Sequence, residues 1–198
     1  MRVWNLFAGA VIALAVAGCV TTDVRPPADV QSLKLAEVRV TVPPHAQLIG
    51  YDGIGEYATA NRIPNYELND ATETEEAKAW MRDHLLKRVK ASMEQNLPGA
   101  LNGQRPVRAE IVVRKFMLSS AVQRIIVGGD YHMIADISLV DAKTGAVVVD
   151  YPGMVYSIPA LNGWGGAIVQ AAYDATDAPG DRLVKGLTEK YRDWLRKT

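Results

Sequence analysis

"YHMIADISLVDAKTGAVVVDYPGMVY", Tyr131 to Tyr156, decides the fold. Its first part alternates. Tyr131, Met133, Ala135, Ile137 and Leu139 fall on one face of an extended chain, because successive strand side chains point to opposite sides. Asp141-Ala142-Lys143-Thr144-Gly145 then interrupts with turn chemistry. An Asp can fold its carboxylate onto the backbone N–H groups that follow it, and Gly145 suits the positive φ that closes such a loop. Ala146 to about Tyr156 returns as the partner strand, so an antiparallel hairpin is expected at the centre of the domain.

Outward from the hairpin, Val107 to Leu118 reads as a further strand, with Val107, Ala109, Ile111 and Val113 opposite Arg108, Glu110 and Arg114. Before it, Thr72 and Glu75 form a capping box, and a helix is expected to about Asn96. Its apolar residues Ala77, Met81, Leu85, Val89, Met93 and Leu97 recur every four positions, and Pro98-Gly99 stops it. Near the start, Val38, Val40 and Val42 share a face of a strand that Pro43-Pro44 ends. Residues 45–69, rich in Gly, Tyr and Asn, show no clear period. After the hairpin a small-residue helix is expected from Ala167 to about Ala175, broken by Pro179-Gly180. Asp181 can cap a last helix carrying Leu183, Val184, Leu187, Tyr191, Trp194 and Leu195. The order β, α, β, β, β, α, α points to an α+β fold, a mainly antiparallel sheet with helices packed on one face.

Composition bounds the function. The 198 residues hold 22 Lys and Arg against 22 Asp and Glu, so no uniform field exists to hold a polyanion, and nucleic acid is not an expected partner. With one cysteine, Cys19, the chain has no intramolecular disulfide and no zinc site built on paired thiolates. That cysteine follows one cation, Arg2, and an apolar run from Val3 to Gly18. The run is shorter than the roughly 20 residues needed to span a bilayer and suits the apolar region of an export signal.

Val16-Ala17-Gly18-Cys19 resembles the lipobox of bacterial lipoproteins. The resemblance implies a signal peptide over residues 1–18, cleavage between Gly18 and Cys19, a diacylglyceryl group on the Cys19 sulfur and acylation of the new amine. Several acyl chains, at about 0.8 kcal/mol per buried CH₂, make such an anchor effectively permanent. Val20, rather than Asp, follows the cysteine, which in the lipoprotein families favours the inner leaflet of the outer membrane, facing the periplasm. Residues 19–34, with Pro26-Pro27, then read as lipid anchor and tether, the alternative being an ordered arm along the domain, and residues 35–198 as a periplasmic α+β domain. That domain, with "LVDAKTGAVV", a glycine-rich segment and a final helix, is similar to small periplasmic lipoproteins of uncharacterised families. It also looks distantly like auxiliary lipoproteins of envelope transport systems and curli-type secretion lipoproteins. These resemblances imply a non-enzymatic envelope role and transfer no functional residue.

The search for chemistry is largely negative. His45, His84 and His132 stand in no metal-ligand spacing, no Ser occupies a Gly-x-Ser-x-Gly elbow, and an acylated Cys19 leaves no thiol nucleophile. Gly128-Gly129-Asp130 precedes a strand rather than a helix and reads as a turn, not a phosphate loop. Lys87-Arg88-Val89-Lys90 and Arg192 to Lys197 read as solvated basic helix faces. No enzyme activity, cofactor or metal is expected. The segment "ALNGWGGAIVQAA", Ala160 to Ala172, stands out. Trp164 flanked by Gly163, Gly165 and Gly166 is either a partner-docking surface or a core plug whose glycines only permit a turn. The expected function is an accessory or binding lipoprotein of envelope assembly or transport, held to the membrane through its N-terminal lipid and meeting an envelope protein. The alternative is a structural subunit that self-associates as a homo-oligomer.

Overall fold

The computed structural model describes residues 29–50, 52–64 and 73–197. Gly18, Cys19 and the tether to residue 28 lie outside the described residues, as does Thr72. Five strands form one mixed sheet: β1 (Leu33–Thr41), β2 (Gln47–Ile49), β3 (Arg105–Leu118), β4 (Asp130–Asp141) and β5 (Val147–Pro159). Their spatial order is β1-β3-β4-β5, with β2 also paired to β3, beyond the end of β1. The pairs β3–β4 and β4–β5 are antiparallel, whereas β1 and β2 run parallel to β3. Among the described residues the α-helices are α1 (Ile54–Asn61), α2 (Glu75–Asn96), α3 (Ala121–Ile126), α4 (Gly163–Thr176) and α5 (Pro179–Leu195). α2 and α5 pack on each other and against the strands, giving the α+β class expected.

The hairpin forms as its residues dictate. Tyr131 pairs with Ile158, Ala135 with Met154 and Leu139 with Val149. Asp141 Oδ1 accepts from the Lys143 and Thr144 N–H groups, each at 3.0 Å, Oδ2 accepts from Arg105 Nε at 2.9 Å, and Gly145 takes φ +73°. The Thr144 N–H, then the Arg105 guanidinium and the Lys143 N–H, hold the Asp141 carboxyl down to about 2.

In β3 the expected face is buried, but a bulge between Val113 and Lys115 shifts the phase. The inward residues become Phe116 and Leu118 after Val107, Ala109, Ile111 and Val113. The opposite face carries Arg108 paired with Glu110, and Arg114 with Asp136, as a solvated sheet face can. The parallel partner β1 requires a crossover, and α2 lies within it. Val38, Val40 and Val42 are buried as expected, though the strand starts at Leu33, three residues before Ala36.

In α2 the four-residue spacing delivers Ala77, Met81, Leu85, Val89 and Met93 to the core, with Leu97 beyond its end. Its N-cap is Thr74, whose side chain accepts from the Ala77 N–H at 3.2 Å. The described part of the segment 45–69 holds β2 and α1, too short to impose a readable period. Pro179-Gly180 opens α5 rather than merely ending α4, since Pro at the first turn has no N–H to lose. Asp181 does not cap it. The Gly180 N–H is bonded at 2.8 Å by Asp52 Oδ2, which brings its negative charge to the positive end of the helix from 128 residues away. Tyr191 of α5 is a core residue. Its hydroxyl has no hydrogen-bond partner among the described residues, and burial pushes the phenol up, out of any acid–base role near neutrality.

Candidate docking face

α3 and α4 meet at one end of the sheet, where β3 finishes at Leu118, β4 begins at Asp130 and β5 finishes at Pro159. Ser120 opens α3 by accepting from the Gln123 N–H at 3.1 Å. Past α3, Gly128 takes φ +79° and the Gly129 N–H donates to Asn162 Oδ1 at 3.0 Å. The turn at Gly128-Gly129 thereby ties the end of α3 to the residue preceding α4. Asn162, engaged there, makes no side-chain cap to α4.

α4 is inside out. At about 100° per residue, Ala167, Gln170 and Asp174 share one side and Trp164, Ile168 and Ala172 the other. The first side is the one that faces the protein: Ala167 is buried, Gln170 is 5% exposed and the Asp174 side chain 18%. Gln170 Oε1 accepts from the Leu161 N–H at 3.1 Å, and its Nε2 donates to Asp174 Oδ1 at 2.7 Å. The buried Tyr131 hydroxyl donates to Asp174 Oδ2 at 2.5 Å. The Arg182 guanidinium of α5 bonds Asp174 as well, while lying 4.7 Å from the centre of the Tyr173 ring. The buried side of this helix therefore consists of an Ala methyl and a polar network, with α3 packed alongside.

Its apolar residues point to solvent instead. Trp164 is 74% and Ile168 70% exposed, with Val169 and Tyr173 also exposed. Leu161, Val122 and Ile126 of α3, and Val127 just after it are exposed as well. The core-plug reading of Trp164 is overturned, because the polar bonds of Gln170 and Asp174 fix the rotation of α4 that turns the indole out. The three flanking glycines differ in what they do. Gly163 has φ +74°, a Cβ on Gly165 would meet open space, and one on Gly166 would sit 3.0 Å from the Leu161 carbonyl carbon. Sequence alone did not mark Val122, Ile126 or Val127; a run of six helical residues is too short to show an amphipathic period.

The remaining candidates are scattered. His84 stacks on Trp80, ring centres 4.8 Å apart, and its Nε2 lies 3.1 Å from Glu56 Oε2, a contact between α2 and α1. His132 stands 3.5 Å from Asp130 on β4, and His45 lies in the loop before β2. Among the described residues no group of three or more His, Cys, Asp or Glu could hold a metal ion, and no helix is long and apolar enough to cross a membrane. The basic run in α2 is not uniformly solvated. Arg88, 15% exposed, donates to Asp52 Oδ1 at 2.7 Å and to Asp181 Oδ1 at 2.8 Å, clamping α2 to the loop before α1 and to the start of α5. Its partners lie 36 and 93 residues away, beyond any local pattern.

A family model described as Family of unknown function (DUF6778) matches residues 75–198, the span from α2 through α5. No curated protein matches the chain. Three similar solved structures are each 14% identical. One is a candidate lipoprotein from Caulobacter crescentus CB15, with TM-score 0.31, covering 57% of this chain and 81% of that one. Another is protein XCC0632 from Xanthomonas campestris, of family model DUF330, with TM-score 0.42 and coverage of 86% and 89%. A third is a PelC dodecamer from Paraburkholderia phytofirmans, with TM-score 0.32 and coverage of 83% and 92%.

Proposed function

We propose that this chain, which belongs to the Family of unknown function DUF6778, is a lipid-anchored, non-enzymatic accessory protein of the bacterial envelope. Cys19 is its point of attachment, at the periplasmic leaflet of the outer membrane, and the α3–α4 face is where it meets a protein partner. The observation that supports binding most directly is the rotation of α4. A helix with Trp164, Ile168, Val169 and Tyr173 available for the core turns them outward and buries Gln170 and Asp174 in hydrogen bonds. Exposed large apolar side chains gathered on one short helix are a mark of interaction sites, and Trp is among the residue types enriched at binding hot spots.

The address is tested by Cys19→Ala with labelled fatty acid and membrane fractionation. The parent chain is expected to take up label and sediment with outer membrane, and the variant to do neither; an unlabelled parent chain overturns the anchor. The face is tested by hydroxyl-radical footprinting of Trp164 in intact cells. Engagement lowers its oxidation several-fold below the rate that 74% exposure gives, and oxidation at the fully exposed rate sinks the docking reading.

A further inference from the structure

We propose that the open face of the sheet carries an anion site, built on Arg114, Lys115 and His45, that takes a phosphate monoester group borne on an organic molecule. The inference stands apart from the α3–α4 face and from the reading made of it. It begins with the bulge in β3. Val113 pairs with Ala135 and Lys115 with Ile134, so Arg114 is the extra residue. Val113 and Phe116 both point into the core, and the two cations between them are left on the same side of the sheet. Strict alternation would have sent one of them inward.

Register then supplies the neighbours. Gln47 of β2 and Ile134 of β4 stand level with Lys115 on either side of it. With Val112 and with Pro43 and His45 of the loop before β2, they enclose a cleft of about 490 Å³ that Arg114 and Lys115 border. Small-molecule sites run from roughly 300 to 1,000 Å³. Val112, Ile134 and Pro43 offer an apolar wall to the organic part of a ligand.

Charge names the rest of it. Lysine is seldom withdrawn from solvent unless it is paired. Two lysines of the described residues are half-buried, and Lys78 is answered by Glu73 at 3.2 Å and Glu75 at 3.6 Å. Lys115, the other, has no carboxylate in ion-pair range among the described residues. Asp136, further along β4, is already engaged by Arg114 Nε and, at 2.8 Å, by the Gly153 N–H. Arg114 keeps its terminal N–H groups for a second acceptor. No described carboxylate lines this cleft, whereas the larger one beside α5 sets Asp177, Asp181 and Glu189 against Arg88, Arg182 and Lys185. A guanidinium, an ammonium and an imidazole bordering one cleft suit the three terminal oxygens and the charge of about −2 on a phosphate monoester. A carboxylate, with two oxygens and a single charge, uses them less fully.

The test is amine-acetylation footprinting of the full chain in neutral detergent, read by mass spectrometry at Lys115 with the exposed Lys143 as reference, at an ionic strength held constant with chloride. Inorganic phosphate is expected to lower Lys115 modification several-fold relative to Lys143, and acetate to leave it unchanged. Arg114→Gln removes a donor, and Gln47→Glu sets a carboxylate beside Lys115 in the ligand's place. Each is expected to abolish most of the protection; both positions are exposed, and unchanged urea midpoints verify that the variants fold. The source of the phosphate is separated by glycerol 3-phosphate in solution and by phosphatidylcholine vesicles holding the chain with or without phosphatidic acid. Protection by the first alone supports a soluble phosphoester, and protection by phosphatidic acid supports a lipid headgroup. No protection by any of the phosphates, equal protection by acetate, or protection that survives both substitutions overturns the site.

Discussion

Asp174→Ala tests the idea that polar bonds hold α4 in place. The substitution removes an acceptor of the Tyr131 hydroxyl, the acceptor of Gln170 Nε2 and the nearer of two carboxylates beside Arg182, leaving Asp177 Oδ2 at 3.9 Å from its Nε. Breaking a fully buried ion pair from one side costs about 3–5 kcal/mol. The Arg182 and Asp174 side chains keep 15% and 18% of their exposure, so solvent screens part of that, and about 3 kcal/mol is a fair central value. The competing support is the buried methyl of Ala167, worth about 1 kcal/mol. Amide hydrogen exchange of Val169 to Ala172 reads the opening of α4 directly. A loss of about 3 kcal/mol accelerates it roughly 100-fold, at 1.4 kcal/mol per factor of ten. Asp174→Asn, which keeps an acceptor for Tyr131 but not the charge, falls between. Trp164→Ala in the monomer leaves exchange unchanged within a few-fold, because the indole contributes little to holding the helix. An acceleration below about fivefold for Asp174→Ala would mean that apolar contacts hold α4, and the inside-out account would be wrong.

Three further outcomes are expected. The Asp141 carboxyl is held down to about 2 in the fold, below the unfolded range near 4, so it stabilises the hairpin above about pH 4 and loses this as pH falls toward 2. Urea midpoints of the parent chain and Asp141→Asn are therefore expected to converge on acidification from pH 5 to 2.5, and a constant gap refutes the assignment. Gly186→Ala would set a Cβ 2.1 Å from Tyr156 Cε1, where α5 lies against β5; a loss of about 1–3 kcal/mol in chemical denaturation is expected, and unchanged stability would show that the ring moves freely. Arg88→Ala leaves Asp52 with the Gly180 N–H alone and frees the start of α5. A loss of about 2–3 kcal/mol is expected, and Asp52→Asn in the same background should recover part of it, because the uncompensated charge is then gone.

Much of the fold was legible because its determinants are local. The alternation from Tyr131 to Leu139, the turn at Asp141 to Gly145 and the stripe from Ala77 to Met93 each state their element within a few residues, and each element formed. Short elements escaped. β2, α1 and α3 span three, eight and six residues, less than their periods need to show. The candidate docking face was half legible. Trp164 and its glycines marked the segment, but whether the indole faced the core or solvent depended on Tyr131 and Arg182, which lie outside it.

The sequence by itself determined the periodic elements, the hairpin and the resemblance at Cys19, because spacings of 2 and 3.6 and a run of adjacent residues are properties of neighbours. Only the tertiary structure decided that β1 lies parallel to β3, that Asp52 rather than Asp181 serves the start of α5, and that Arg88 is a clamp. It alone decided that α4 turns its apolar side to solvent. Periodicity shows that a helix has two unlike sides. Which side is buried depends on the groups waiting there, and here those are a Tyr hydroxyl and a guanidinium that make strong hydrogen bonds only to a polar face.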